Sequence, residues 1–255
     1  MSLNIWTQCE GLSNAIVYQA AIARVIESQH RIGTRKLCRS DQEQALLERL
    51  IDDAKPPVPT KGAFADLHYL LFTPFRYPPL RHGSRFGARG ERGIFYGAEK
   101  LATVFAEMAY YRFVFLDGTA ADLAPLSVEL STFRVHVRSA VAIDCCAPPF
   151  SAYAGEISSP TSYAASQALG RAMRADAVDL FRYTSARCPD GGANIGLFSP
   201  AAFAEPRPYG LKTWLCVADR SVVEVSRKDY LAGPERYRFA RAVMEVDGIL
   251  PAPAP

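Results

Sequence analysis

The sequence predicts an α+β protein. After residue 60 the candidate strands outnumber the candidate helices, and the two kinds of element do not alternate regularly, which disfavours a doubly wound parallel sheet. The chain has 255 residues, 49% of them hydrophobic, so it can bury a core without disulfides or a structural metal. We expect a helical N-terminal extension over residues 1–60 and one main domain over residues 61–255.

Two helices are predicted in the extension. Residues 14–32 are rich in Ala, Ile and Val and precede Gly33, a typical helix stop. Ser40 and Glu43 form a capping box for a second helix. Its apolar residues recur at helical spacing: Leu46, Leu47, Leu50, Ile51 and Ala54. The proline-rich segment 55–59 ends this helix and places the boundary near residue 60.

The main domain begins with two predicted strands, Leu67 to Phe75 and Gly93 to Tyr96. A helix follows from about Glu99 to Phe113, because apolar residues recur there at i, i+3, i+4 and i+7. Further strands are predicted at 126–130, 133–143, 178–183, 195–198, 214–218 and 221–225, with a loop at 145–160 and a helix at 161–175.

Several functional classes have no support in the sequence. The net charge of +3 is small for this length, so charge balance alone predicts neither nucleic-acid nor membrane binding. There is no long apolar stretch and no signal-peptide pattern, which predicts a cytoplasmic protein. The six cysteines and four histidines show no metal-ligand spacing, and phosphate-loop, zincin and serine-hydrolase motifs are missing. We therefore expect no metal site.

Local charge is more informative than net charge. The segment 76–92 contains six basic residues and only one acidic residue, Glu91. The basic residues are Arg76, Arg81, His82, Arg85, Arg89 and Arg92. Guanidinium groups bind phosphate oxygens through paired donors, so this segment is a candidate anion site. A solvated basic loop explains the same pattern.

A set of motifs resembles the RES domain family, named for its Arg, Glu and Ser. The matching segments are Phe75 to Gly87, Gly93 to Ala98, Ala106-Glu107, Thr184 to Arg187 and Asn194 to Pro200. Their order and approximate spacing agree with the family over residues 65–205. Two features depart from the compact family pattern: its G-G-R-W-N segment reads Gly83-Ser84-Arg85-Phe86-Gly87, and residues 1–60 exceed the compact form.

The resemblance implies a fold similar to ADP-ribosyltransferases, with a mixed β-sheet core and flanking helices. It also implies a toxin of a bacterial toxin-antitoxin pair that consumes NAD+ by hydrolysis or phosphorolysis, with an Xre-like antitoxin as partner and no metal. Transfer of ADP-ribose to a protein is one alternative. A second is a non-catalytic nucleic-acid or regulatory module, which the low net charge and the lack of interleaved aromatics disfavour.

The candidate catalytic residues are Glu107, Arg85 and Ser185. A carboxylate at Glu107 would stabilise the oxocarbenium-like state of glycosidic cleavage or bind a ribose hydroxyl, and this residue lies at the edge of a helical apolar stripe. Ser185 would hold the nicotinamide amide or a phosphate by hydrogen bonds. No Ser-His-Asp arrangement supports a nucleophilic role for it. Taken alone, Glu107 is more typical of a solvated helix surface and Ser185 of a turn, and only the surrounding family-like pattern favours a functional role.

The candidate NAD+-binding residues add three side chains to Arg85 and Ser185. Arg76 would bind the pyrophosphate together with Arg85. Tyr77 and Tyr96 would stack on the nicotinamide or the ribose, although isolated tyrosines are more typical of a core.

Overall fold

The computed structural model describes residues 4–28, 37–79, 82–121, 123, 125–229 and 233–252. Its strands are β1 (Ile16–Glu27), β2 (Phe95–Ala98), β3 (Leu126–Asp144), β4 (Leu180–Thr184), β5 (Ala193–Leu197), β6 (Tyr209–Ala218), β7 (Val222–Asp229) and β8 (Gly233–Ala240). Within the described residues they form one eight-stranded mixed sheet in the order β1-β2-β5-β4-β3-β6-β7-β8. The α+β prediction is confirmed.

The helices are α1 (Ile5–Gln8), α2 (Asp41–Asp53), α3 (Tyr69–Arg76), α4 (Leu101–Asp117), α5 (Ala154–Ile157) and α6 (Ala164–Ala175). Helix α2 begins as predicted, because the Ser40 side chain accepts a hydrogen bond from the backbone nitrogen of Glu43. The predicted helices that correspond to α4 and α6 are also confirmed. No helix in the described part of the chain is long and apolar enough to cross a membrane.

The helix predicted for residues 14–32 is wrong. Strand β1 occupies Ile16–Glu27 and pairs antiparallel with β3 along almost its whole length, with Ala23 opposite Arg134. This pairing satisfies the backbone of a segment whose β-branched residues also suit a strand. Residues 29–32 of the prediction lie outside the described residues. Segment 16–27 is therefore part of the sheet and not of a helical extension, and the division predicted at residue 60 does not follow an edge of the sheet.

The strand predicted from Leu67 to Phe75 is also wrong. This segment forms α3, where the His68 imidazole accepts a hydrogen bond from the Leu70 nitrogen, and the helix buries Leu70, Leu71 and Phe75. A short apolar run fits either kind of element, and here its burial against the sheet decides the outcome.

The strand pattern after residue 120 was predicted only in part. The two strands predicted at 126–130 and 133–143 are one strand, β3, which has a register irregularity between Thr132 and Arg134. The predicted loop 145–160 contains α5, and β8 was not predicted.

Five strands close into a ring. Strand β1 pairs with β3 on one side and contacts β2 on the other through the pair Ala23 and Ala98, so the pairings run β1-β2-β5-β4-β3 and back to β1. The closure requires a glycine at position 97, because a Cβ atom there would lie 2.8 Å from the carbonyl oxygen of Ala23. Strands β6 to β8 extend the sheet from β3.

Helix α4 is anchored in the largest core cluster. Phe105 and Phe113 are fully buried there with Trp214 of β6 and Val223 of β7. The ring centroids of Phe105 and Trp214 are 5.0 Å apart. This packing holds the helix against the sheet and leaves a cleft between another side of α4 and β1.

Candidate active site

A cavity of about 360 Å³ lies between α4, β1 and the segment before β2. It is lined by Arg24, Val25, Ser84, Arg85, Tyr96, Gly97, Val104, Glu107, Met108, Tyr111, Tyr163, Tyr183 and Asn194. Three predicted site residues, Arg85, Tyr96 and Glu107, therefore meet in one place. A cavity with a few convergent polar groups is typical of a small-molecule site.

The Glu107 carboxylate is oriented by two neutral hydrogen-bond donors. Its Oε1 atom accepts hydrogen bonds from Ser185 Oγ at 2.7 Å and from Asn194 Nδ2 at 2.6 Å. Helix α4, the segment after β4 and strand β5 thus converge on one oxygen atom. A preoriented carboxylate in a cavity wall can stabilise a developing positive charge without rearranging during the reaction.

Ser185 lies behind Glu107 and is not among the residues that line the cavity. While its hydroxyl donates to Glu107, its Oγ atom accepts hydrogen bonds from the backbone nitrogens of Arg187 at 3.1 Å and Cys188 at 3.0 Å. The proton and both lone pairs of the hydroxyl are thereby engaged. This geometry fits a residue that positions Glu107, and the predicted contact of Ser185 with the substrate stays a prediction.

Asn194 is a site residue that the sequence analysis did not identify, although it starts a family-like segment. It lies on β5 opposite Ala98 of β2 and Tyr183 of β4, and only 4% of its surface is exposed. Buried amides are usually hydrogen-bonded, and here the partner is Glu107. The available signal was an Asn directly before the predicted strand 195–198, at the start of the family-like segment.

Tyr96 is held on β2 with its phenol in the cavity wall. The phenol oxygen accepts a hydrogen bond from the Phe86 nitrogen at 3.2 Å and lies 3.0 Å from Ser84 Oγ. Burial raises the pKa of Tyr96 to about 12, although these two hydrogen bonds act in the opposite direction. Its hydroxyl is therefore protonated near neutral pH and can act as a donor or a stacking surface, but not as a general base.

Arg85 is buried and held from three sides. Its Nη1 atom donates to the Ser159 carbonyl at 2.7 Å, and its guanidinium lies 4.8 Å from the ring centroid of Tyr163. Its own carbonyl accepts a hydrogen bond from Ser166 Oγ at 2.6 Å. Helix α6 approaches so closely that a Cβ atom at Gly170 would lie 2.1 Å from the Phe86 carbonyl oxygen. The cation is therefore rigidly placed in the cavity wall.

Arg24 is a second cation in the cavity, and the sequence analysis missed it because its segment was predicted as a helix. Its Nη1 atom donates to the Tyr96 carbonyl at 2.6 Å, and its guanidinium lies 4.7 Å from the ring centroid of Phe95. Burial lowers the pKa of Arg24 to about 10, which still leaves the group charged near neutral pH. Its Nε atom is buried and has no hydrogen-bond partner among the described residues. Arg24 and Arg85 together make the cavity suitable for an anionic ligand.

Arg76 and Tyr77, in contrast, do not line the cavity. Arg76 ends α3, where its Nε atom donates to the Pro56 carbonyl at 2.5 Å and its guanidinium lies 5.6 Å from the Tyr77 ring centroid. Within the rest of the basic segment, Arg92 stacks on Phe64, and Arg81 lies outside the described residues. Of the described basic residues in this segment, only Arg85 lines the cavity.

In the part of the chain that the structure describes, no three His, Cys, Asp or Glu side chains are placed to hold a metal ion.

Comparisons with known proteins identify the family. The RES domain model matches residues 61–219, and no curated protein matches the chain. Among solved structures, the crystal structure of the M. tuberculosis MbcT-MbcA toxin-antitoxin complex contains a similar chain with 12% identity and a TM-score of 0.49, over 83% of this chain and 92% of that one. Because the RES domain model matches more than half of its length, this protein belongs to the RES domain family.

Proposed function

We propose that this protein is a toxin that breaks the nicotinamide-ribose bond of NAD+. The observation that carries the proposal is the Glu107 carboxylate, which Ser185 and Asn194 hold at 2.7 and 2.6 Å in a cavity that also contains Arg24 and Arg85. A preoriented anion beside two cations suits a substrate with a cationic reacting centre and a pyrophosphate.

In the proposed reaction the bond between C1′ of the ribose and the nicotinamide nitrogen breaks. Its electron pair leaves with the nitrogen, so the cationic pyridinium becomes neutral nicotinamide and C1′ becomes oxocarbenium-like. Glu107 stabilises this positive charge or orients the adjacent ribose hydroxyl. Water or phosphate then adds to C1′ and loses a proton, which gives ADP-ribose or its 1-phosphate.

The remaining cavity residues bind and orient the substrate in this proposal. Arg24 and Arg85 hold the pyrophosphate, since guanidinium groups donate to phosphate oxygens in pairs. Tyr96 presents a neutral phenol ring on which the nicotinamide can stack.

The partner in this proposal is an Xre-like antitoxin, as the family resemblance implies. The structural neighbour is itself a toxin in complex with an antitoxin. Coexpression of the antitoxin from a neighbouring gene is expected to suppress NAD+ consumption.

Purified protein incubated with NAD+ tests the reaction directly. Free nicotinamide together with a soluble ADP-ribose product supports the proposal, and chromatography with and without phosphate separates hydrolysis from phosphorolysis. Labelled NAD+ incubated with a cell lysate tests for transfer to protein. Label on a lysate protein, with NAD+ intact in the absence of lysate, would replace the proposal by protein ADP-ribosylation.

Expression in bacteria tests the toxin assignment. Without an antitoxin, we expect growth arrest together with a fall in cellular NAD+, whereas the Glu107→Gln variant should permit growth. Normal growth with abundant soluble wild-type protein and unchanged NAD+ would contradict the assignment.

A further inference from the structure

A second cavity, of about 500 Å³, continues the first one along α4. The two cavities share Val25, Met108 and Tyr111. The second cavity is lined by Val25, Ile26, Glu27, Met108, Tyr111, Arg112, Phe115, Leu123, Leu126, Val128 and Leu130. The two cavities are therefore neighbours between α4 and β1, and we name the second one the α4 groove.

The α4 groove presents aromatic rings at helical spacing. Tyr111 and Phe115 are four residues apart on α4 and therefore lie on the same face of the helix. The exposed fractions of the two residues are 50% and 49%. Burial, together with a hydrogen bond to Tyr163, raises the pKa of Tyr111, so the hydroxyl end of this ring is enclosed beside the candidate active site while the rest of the residue is open. Exposed apolar surface next to a cavity with charged side chains is typical of a ligand groove.

The first cavity is small compared with a whole NAD+ molecule, which connects the groove to the proposed substrate. NAD+ joins two nucleosides through a pyrophosphate, and the first cavity, at about 360 Å³, is near the lower end of the ~300–1,000 Å³ range for drug-sized ligands. If the nicotinamide riboside occupies the first cavity beside Glu107, the adenosine half must extend beyond it. The α4 groove shares Val25, Met108 and Tyr111 with that cavity and, at about 500 Å³, has room for a purine nucleoside.

We infer that the α4 groove binds the adenosine half of NAD+, an inference that rests on the proposed function. Tyr111 and Phe115 offer faces on which the adenine ring stacks. Arg112 Nη2 and Glu27 Oε1 form an ion pair at 2.5 Å in the wall of the groove. The Glu27 carboxylate can accept a hydrogen bond from the exocyclic amine of adenine. The buried Nε atom of Arg112 has no hydrogen-bond partner among the described residues.

The pairing of Arg112 with Glu27 distinguishes the groove from the first cavity. The charge of Arg112 is compensated by Glu27, whereas the first cavity contains two cations, Arg24 and Arg85, and one carboxylate, Glu107. A nearly neutral aromatic groove suits a nucleoside, and the two-cation cavity suits the pyrophosphate.

Substrate truncation tests the inference. Nicotinamide mononucleotide retains the scissile bond but lacks the adenosine half, so it does not reach the groove. Phe115 lines only the second cavity, and we expect Phe115→Ala to raise the KM for NAD+ about 10- to 100-fold while leaving kcat/KM for nicotinamide mononucleotide unchanged. Leu211→Ala, a change at an exposed apolar residue of β6 outside both cavities, is the matched control.

Direct binding of AMP provides a readout that does not require turnover. Calorimetry should show AMP binding to the wild-type protein and to Leu211→Ala, and at least tenfold weaker binding to Phe115→Ala. Unchanged AMP affinity and unchanged KM for NAD+ in folded Phe115→Ala would overturn the inference, and the groove would then be free for a protein partner. Wild-type protein that binds AMP through Phe115 but cleaves neither NAD+ nor the mononucleotide would refute the proposed function and leave the nucleoside site standing.

Discussion

The side-chain amide nitrogen of Asn194 lies 2.6 Å from Oε1 of Glu107, which ties helix α4 to strand β5 at a single carboxylate oxygen. Because this amide nitrogen can only donate, the oxygen acts as the acceptor. The position of the carboxylate therefore depends on the register of a strand that lies far from it in sequence.

Replacement of Glu107 by Gln should abolish NAD+ cleavage and leave the fold intact. The amide oxygen of Gln can accept the same hydrogen bonds from Ser185 and Asn194 but carries no negative charge. We expect nicotinamide release to fall by about 100-fold or more, with an unchanged melting temperature. Glu156→Gln, at an exposed glutamate of α5, is the control. Wild-type turnover by folded Glu107→Gln protein would remove the carboxylate from the mechanism.

Replacement of Ser185 by Ala separates a positioning role from a nucleophilic one. The change leaves the buried nitrogens of Arg187 and Cys188 without their acceptor, so the free energy of unfolding should fall by about 1–3 kcal/mol. We expect nicotinamide release to fall about 10- to 100-fold and remain measurable, because Glu107 is still present. Ser139→Ala, which also removes a buried acceptor of a backbone N–H, should lower stability without this loss of activity. Complete loss of turnover in folded Ser185→Ala would instead support a direct chemical role.

Replacement of Arg85 by Lys should raise the KM for NAD+ by about tenfold or more. A lysine reproduces neither the paired donors of a guanidinium nor its stacking on Tyr163. The same exchange at Arg76, whose Nε atom donates to the Pro56 carbonyl outside the cavity, should leave the KM unchanged. Steady-state kinetics of the two variants decide between the two arginines. A raised KM for Arg76→Lys with an unchanged KM for Arg85→Lys would instead support Arg76 as the phosphate ligand.

Replacement of Gly170 by Ala should disturb the candidate active site through the backbone that carries Arg85. The added Cβ atom would lie 2.1 Å from the Phe86 carbonyl oxygen, so either α6 or the backbone next to Arg85 must move. We expect a loss of about 1–3 kcal/mol in the free energy of unfolding, together with a higher KM for NAD+. Gly155→Ala adds a methyl group with no atom within 4 Å and should retain both properties. Equal stability of the two variants would show that the contact relaxes at no cost.

The stability of the protein should decline at alkaline pH through Tyr110. Burial raises the pKa of this phenol to about 12, although the Arg187 guanidinium next to its ring lowers it. The hydroxyl donates a hydrogen bond to the Pro251 carbonyl at 2.6 Å. The folded state keeps a proton that an unfolded tyrosine loses near pH ~10. The contribution of the Tyr110 phenol to the free energy of unfolding is therefore complete below about pH 10 and is lost as the pH rises toward about 12.

Urea unfolding of wild type and Tyr110→Phe at about pH 8 and about pH 11 measures this effect. The variant should be less stable by about 1 kcal/mol at the lower pH, because it loses one buried hydrogen bond. The difference between the two proteins should shrink at the higher pH. A constant difference would exclude Tyr110 as the titrating group.

The elements with strong local signals could be predicted from the sequence. The capping box at Ser40 locates the start of α2, and the apolar spacing after Glu99 locates α4. Strand β1 could not be predicted, because its conformation depends on pairing with β3, more than a hundred residues away. Helix α3 was missed because a short apolar run has no distinctive period.

The same difference between local and long-range information explains the outcome for the site. Glu107 and Arg85 lie in family-like motifs, and both reach the cavity. The sequence did not distinguish Arg85 from Arg76, because two arginines of one basic segment look alike until packing directs Arg85 into the cavity wall and Arg76 toward Pro56. Arg24 carried no recognisable motif, and its role depends on the ring closure that places β1 beside β2.

Closure of the ring by β1 has a consequence for how the protein can be divided. The family match begins at residue 61, yet β1 supplies Arg24 and Val25 to the wall of the cleft. A polypeptide translated from an internal start after β1 would lack the strand that pairs with β3. The exposed edge of β3 could then pair with strands of other chains. Such a product would lack Arg24 and Val25 in the wall of the cleft and would be prone to aggregate. Any shortened form of the protein that is to keep the closed ring must therefore retain β1, although this strand precedes the family match.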